Sequence, residues 1–503
     1  MAISNTDATI GVVYLIFIVL LGVWVGRDQK DLSGYLLGNR DLPWWAILGS
    51  IVATETSTAT FLSVPGIAFA AQGDMTFLQL AVGFILGRII VAIVLVPLYF
   101  RGRLFTAYEV LEKRFGGATK RAASVMFLVT RNLGDGLRLF LAGLALEKVL
   151  GADLYLCVVV IGIATIVYTF LGGMKAVIWS DCIQFVIYMA GGLIALKILI
   201  DALPGGWGEL VAYGEATDKF RIFDSGVDAD GKLTVLTNPY TIWSGVIGGA
   251  VLTLGTHGTD QMFVQRYLSA RNQRDASVAV VTSGFVVFAQ FALFLLLGVA
   301  LACFYSSIQP RVFAHNDEVF ATFIVEQLPV GLTGITLAAV FAAAMSTLSS
   351  SLNSSAAAAV ADFYRPWLLR NHPEAELDPH QLLSASRKMT VVFGLIQIAV
   401  GIGASHLSRS VVSDALAIAG FSAGILLGVF ALGVLTHSAH QRGVFVGFLF
   451  GITVLLWIKF FTDIAWPWYA IIGSVTTFAA GLIASRLLPS SSPDQSPGQS
   501  LES

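Results

Sequence analysis

Between Val340 and Phe363 the chain reads VFAAAMSTLSSSLNSSAAAAVADF, apolar enough to lie in a membrane yet crowded with hydroxyls. Ser346, Thr347, Ser349, Ser350, Ser351, Ser354 and Ser355 fall within it, with Asn353 among them. On a helix, at about 100° per residue, Ser346, Ser349, Ser350 and Asn353 share a face and Thr347 opens the neighbouring one. Hydrocarbon offers such a face no water, so it needs protein partners or a ligand. A second polar stretch, ILGSIVATETSTATFLSVPGIAFA, carries Thr54, Glu55, Thr56, Ser57, Thr58, Thr60 and Ser63 ahead of Pro65-Gly66. Proline removes a backbone donor, and hydroxyls compete for the backbone, so an interrupted helix is expected here. An interruption inside a membrane leaves carbonyl oxygens and half-helix ends free for ions and a solute.

Ionisable groups add to this set. Asp181 lies in GGMKAVIWSDCIQ, near a helix start, where the helix dipole alone would suit a carboxylate. Arg131, Asp135 and Arg138 in RNLGDGLRLF share one helical face. Either they neutralise one another as a ladder, or the positive charge left over meets an anionic solute. The glycine-rich GVIGGAVLTLGTHGTDQMFVQRYL, with His257, Asp260 and Gln261 near its end, has the texture of a second interruptible helix.

The elements that must hold these groups are membrane helices. The chain has 503 residues, 56% hydrophobic and 12% charged, with mean hydropathy +0.78. A soluble domain carries about 25% charge, so this is an all-α polytopic membrane protein. Cutting the sequence into runs of about 20 apolar residues gives about thirteen spans. Lys and Arg concentrate in alternate loops, from Arg27 through Arg101, Lys113 and Arg266 to Arg365 and Arg442. That bias predicts an external N-terminus and a cytoplasmic C-terminus in the plasma (inner) membrane. No basic tract for nucleic acid is present, and Cys157, Cys182 and Cys303 lack metal-ligand spacing. Scattered histidines without HExxH disfavour an enzyme, and the lack of a repeated filter segment disfavours a channel. The loops 202–239 and 306–330 read as solvated connections, and the Ser/Pro-rich tail 489–503 as disordered.

In this order the motifs YLLGNRDLPWW, YEVLEKRFG, FLGGMKAVIWSDCIQ, TDQMFVQRYLSA, AAAMSTLSSSLNSSA and DFYRP resemble those of the sodium:solute symporter family. The resemblance runs from residue 34 to about 436. It implies a LeuT-like core of two inverted repeats of five helices, 45–201 and 240–436. Residues 1–44 form a first helix and linker, 202–239 an external loop, and 437–488 two peripheral helices. It further implies Na⁺ as coupling ion, with no organic cofactor. The family's shared sodium site maps onto backbone oxygens of Ala53, Thr56 and Ala343 and the hydroxyls of Ser346 and Thr347. A second site, found in members that move two sodium ions, maps onto Asp181 with Ser346, Ser349 and Ser350.

The solute signals conflict. Sugar-carrying members place a glutamate near the position of Gln79. Thr60 takes the place of a sugar-binding polar residue, and Glu55 stands where proline-type members have aspartate. The AAAMSTLSSSLNSSA stretch is similar to the monocarboxylate, multivitamin and iodide branch. The resulting expectation is import of a small organic solute with two Na⁺, by a monomer or weak oligomer. It leans to a small organic anion, with a neutral sugar or amino acid as the alternative. Glu55, Thr60, Gln79, Arg131, Arg138 and Phe421 are the candidate lining residues. A sodium-dependent membrane sensor is the alternative of another class, because the same fold occurs fused to kinase parts.

Overall fold

The computed structural model describes residues 4–28, 31–102, 104–228, 230–313, 315–371, 378–404 and 411–489. The expected disorder of the tail therefore lies outside the described residues, apart from Pro489. The principal helices are α1 (Asn5–Val25), α2 (Trp44–Glu55), α3 (Thr58–Phe69), α4 (Leu78–Phe100), α5 (Gly117–Leu150), α6 (Leu154–Ala202) and α7 (Gly249–Thr259). They continue as α8 (Gln261–Leu268), α9 (Gln273–Ser307), α10 (Leu332–Ala359), α11 (Pro379–Gly403), α12 (Val411–Leu435), α13 (Gln441–Phe461) and α14 (Pro467–Leu487). Among the described residues, pairing of strand type is confined to two isolated bridges, Leu42 with Ala270 and Val227 with Leu233.

Nine helices among the described residues are long and apolar enough to cross a membrane, or ten if the bent pair α2–α3 is one span. The expected count of about thirteen spans is not established by this tally. Two of those spans lie within α6, whose 49 residues are interrupted at Gly173 (φ 53°, ψ −158°). A straight helix of that length would run ~74 Å against a hydrocarbon core of ~30 Å, so the chain has to turn at that glycine. Two further expected spans are the charge-rich α5 and the α7–α8 stretch, which is divided at Asp260.

The interruption between α2 and α3 is sharp, with a bend of 60°. It falls at Thr56 and Ser57, both in extended conformation, and not at Pro65, which sits inside α3. The Thr56 backbone N–H and hydroxyl both donate back to Val52 O, at 3.0 and 2.9 Å, so the last turn of α2 closes on that carbonyl where the chain leaves the helix. Gly66 serves a different purpose: a Cβ there would come within 2.7 Å of Asn316 O, so its absence lets the 306–330 loop lie against α3.

The centre of the molecule is α10. Of its most apolar window 89% is buried, against 22% for α1 and 28% for α13, whose exposed faces suit lipid. It packs on α1, α5, α6 and α11. Its start is held by Asp7 of α1, whose Oδ1 accepts from Gly331 N at 2.7 Å and Gly334 N at 2.8 Å. A carboxylate at a helix N-terminus satisfies free donors and complements the dipole.

Candidate ion and solute site

The hydroxyl face of α10 meets the interruption between α2 and α3. Ser346 donates to Ala53 O at 2.8 Å and contacts Ala343 O at 3.3 Å. Thr347 donates to Thr54 O at 3.0 Å. Of the five residues expected at the shared ion site, Ala53, Ala343 and Ser346 are thus in direct contact. Thr347 sits beside them on the neighbouring carbonyl. Thr56 forms the interruption itself, and its hydroxyl also accepts from Gln290 Nε2 at 2.7 Å. These oxygens come from two separate helices, and a hydroxyl that now donates a proton can turn a lone pair to a hard cation instead.

The second expected set is built differently. Asp181 Oδ2 accepts from Ser50 Oγ at 2.5 Å and lies 3.4 Å from Thr54 Oγ1 and 3.5 Å from Ser350 Oγ. Ser349 donates instead to Ser346 O, at 3.1 Å. The charge of Asp181 is met by Arg266, whose guanidinium lies 3.2 Å away, and both side chains are fully buried. Arg266 also donates to Ser50 Oγ at 2.8 Å, to Met262 O at 2.5 Å and to Ser350 Oγ. Its count among the loop charges therefore needs correcting: it is a fully buried cation packed between α2, α6 and α10. Among the described residues Asp181 Oδ1 has no hydrogen-bond partner. Dipole stabilisation alone does not account for Asp181, because its partners come from α2, α8 and α10.

Of Ser351, Ser354 and Ser355, further along α10, two bond to other helices. Gln397 of α11 donates to Ser351 Oγ at 2.8 Å and to Asn132 Oδ1 at 3.0 Å, and Asn132 reaches Ser355 at 3.3 Å. This network ties α10 to α5 and α11. Ser354 bonds back to Ser350 O and Ser351 O of its own helix.

The candidate solute residues are spread more widely. Glu55, at the end of α2, pairs with the fully buried Arg88 of α4 and lies 3.8 Å from His257 Nε2 of α7. Gln79 donates to Tyr240 O at 2.6 Å. Thr60 is half-buried on α3, and Phe421 packs against the cluster that holds Ile425, Leu455 and Tyr469. Arg131 lies 3.6 Å from Asp135 and is paired with Asp260, while Arg138 is paired with Asp135. The positive charge expected to remain on this ladder is taken up by Asp260, a partner 129 residues distant that also caps α8 through Met262 N at 2.8 Å.

Interrupted half-helices held against a polar, buried scaffold helix define a membrane transporter of LeuT-like fold. A solved structure of a Na⁺-coupled sialic acid symporter, substrate-bound and outward-open, matches with a TM-score of 0.84 at 26% identity. The match covers 97% of this chain and 99% of that one. The model of the sodium:solute symporter family matches residues 35–451, and the chain belongs to that family, which is one of transporters and not enzymes. The sodium/sialic acid symporter NanT of Aliivibrio fischeri is 29% identical over 483 residues, 94% of this chain and 92% of that protein. The sodium-dependent multivitamin transporter of Oryctolagus cuniculus is 31% identical over 469 residues, covering 90% and 70%.

Proposed function

We propose that the protein imports a small organic solute by alternating access, coupled to two Na⁺ per cycle, with its N-terminus outside and its C-terminus in the cytoplasm. One observation carries the ion reading: Ser346 and Thr347 of α10 contact carbonyls at the interruption of α2–α3. An ion shared between the two helices stabilises the arrangement in which they lie together, and its departure releases them. The membrane potential adds about 2.3 kcal/mol per net charge per 100 mV, so a second Na⁺ doubles the electrical drive for a neutral solute and supplies all of it for a monovalent anion. Asp181 and Ser350 support that second site, where Na⁺ would share the carboxylate with Arg266.

The solute we favour is a small organic anion. Proteins similar to this chain are described as carriers of sialic acid, iodide and monocarboxylates. A neutral sugar or amino acid is the second reading, favoured by the pairing of Arg88, Arg131, Arg138 and Arg266 with Glu55, Asp260, Asp135 and Asp181. The test is a thermal-shift panel of solutes with and without Na⁺, followed by uptake into proteoliposomes. A substrate stabilises more when sodium is present and accumulates only under an inward sodium gradient. Accumulation without sodium contradicts the coupling, and sodium binding without transport of any solute favours a sensor.

A further inference from the structure

The loop after α6 is more than a solvated connection. It contains the short helix Gly206–Ala216 and then Lys219, which is 4% exposed. The Lys219 ammonium donates to three carbonyls at and just past the end of α3, Ala68 at 2.9 Å, Ala70 at 2.7 Å and Gly73 at 3.1 Å, with Phe69 O at 3.4 Å beside them. The last carbonyls of a helix lack partners and carry the negative end of its dipole, so an ammonium with three protons suits them. Two residues on, Arg221 reaches Asp74 at 2.6 Å, and its carbonyl accepts from Met75 N at 3.0 Å.

The same loop is fastened elsewhere. Tyr240 O accepts from Gln79 at the start of α4. Val235 O accepts from Trp468 Nε1 at 2.9 Å and Leu236 O from Ala465 N at 2.7 Å, both at the start of α14. One strap thus joins the far end of α3, the start of α4 and a C-terminal helix. The twelve residues of α3 span ~18 Å and separate Lys219 from the interruption where the ion is proposed to bind.

We propose that Lys219 is a positioning residue of the transport cycle: it fastens the half-helix α3 to the 203–240 strap, so that sodium binding at one end of α3 moves the strap at the other. This rests on the sodium reading above. A rigid half-helix conveys a change at Thr56–Ser57 to its other end, and the carbonyl cage hands it on to the loop.

Hydrogen exchange of the purified full chain, in matched NaCl and KCl series, tests it. Sodium is expected to slow exchange in segments 52–60 and 215–225 with the same half-saturation. In Lys219→Met the response of 215–225 is expected to fall about tenfold, the scale of losing charge-assisted hydrogen bonds, while 52–60 still responds. A sodium response at 52–60 with none at 215–225 overturns the coupling and leaves the sodium reading standing. Retention of the strap response in Lys219→Met also overturns it. If sodium changes exchange nowhere, both fall. Should the variant fail to fold, the wild-type titration decides alone.

Discussion

The two ends of the hydroxyl face on α10 invite comparison. At one, Ser346 and Thr347 meet the carbonyls of Ala53 and Thr54, and every group is neutral. At the other, Ser350 lies between a carboxylate and a guanidinium, Asp181 and Arg266, both sealed from solvent. A cation arriving at the neutral end has only to turn two hydroxyls round. At the charged end it competes with a cation already covalently part of the chain. The neutral end is therefore suited to tight, reversible binding, and the charged end to a weaker ion whose affinity is set by where Arg266 stands.

The sharpest way to break this comparison is Arg266→Met. Removing one partner of a buried pair leaves an uncompensated charge, a loss on the order of 3–5 kcal/mol. The melting temperature is expected to drop strongly, with NaCl restoring more of it than in the wild type. The Asp181→Asn/Arg266→Met protein should regain most of the stability. A melting temperature equal to wild type in Arg266→Met would contradict the pairing.

Next in size is the neutral end. Each hydroxyl contributes a hydrogen-bond-scale interaction of about 1 kcal/mol, so Ser346→Ala/Thr347→Val should raise the sodium half-saturation of uptake by roughly tenfold or more. The effect should appear in sodium titrations and leave the fold largely intact. Asp181→Asn, which leaves Arg266 uncompensated and so also lowers the melting temperature, comes third in its effect on transport. The sodium Hill coefficient should fall from near two towards one, and an unchanged coefficient and uptake would remove the second ion. Arg138→Ala should have the smallest effect, a rise in carboxylate KM of about fivefold, because Asp135 keeps Arg131 as a second partner 3.6 Å away. Intact carboxylate uptake in that variant would remove Arg138 from the solute site.

Much of the fold was legible because local patterns carry it. Apolar runs mark the spans, and the serines of Val340–Phe363 mark the central helix before any partner is known. The interruption of the second span was legible as well, but its place was not. Pro65 is tolerated within α3, while Thr56 and Ser57 leave the helix. What could not be read were pairings between distant segments. Arg266 sits in the quoted motif VQRYLSA, yet its partner Asp181 is 85 residues away, and only packing brings them together. Asp260 taking the charge of Arg131 is a further case, and so is Lys219 on the carbonyls of α3. A basic residue after an apolar run, as in QMFVQRYL, marks either a loop or a buried ion pair, and only packing separates the two. The unmatched carboxylate at Asp181 was the available signal that some cation had to be found for it.

The central claim is that sodium binds where the hydroxyl face of α10 meets the interruption of α2–α3. Equilibrium binding of ²²Na⁺ to the purified protein, wild type beside Ser346→Ala/Thr347→Val, tests it most directly. The account predicts saturable binding in the wild type and loss of the high-affinity component in the variant. Equal binding in the two proteins would contradict it.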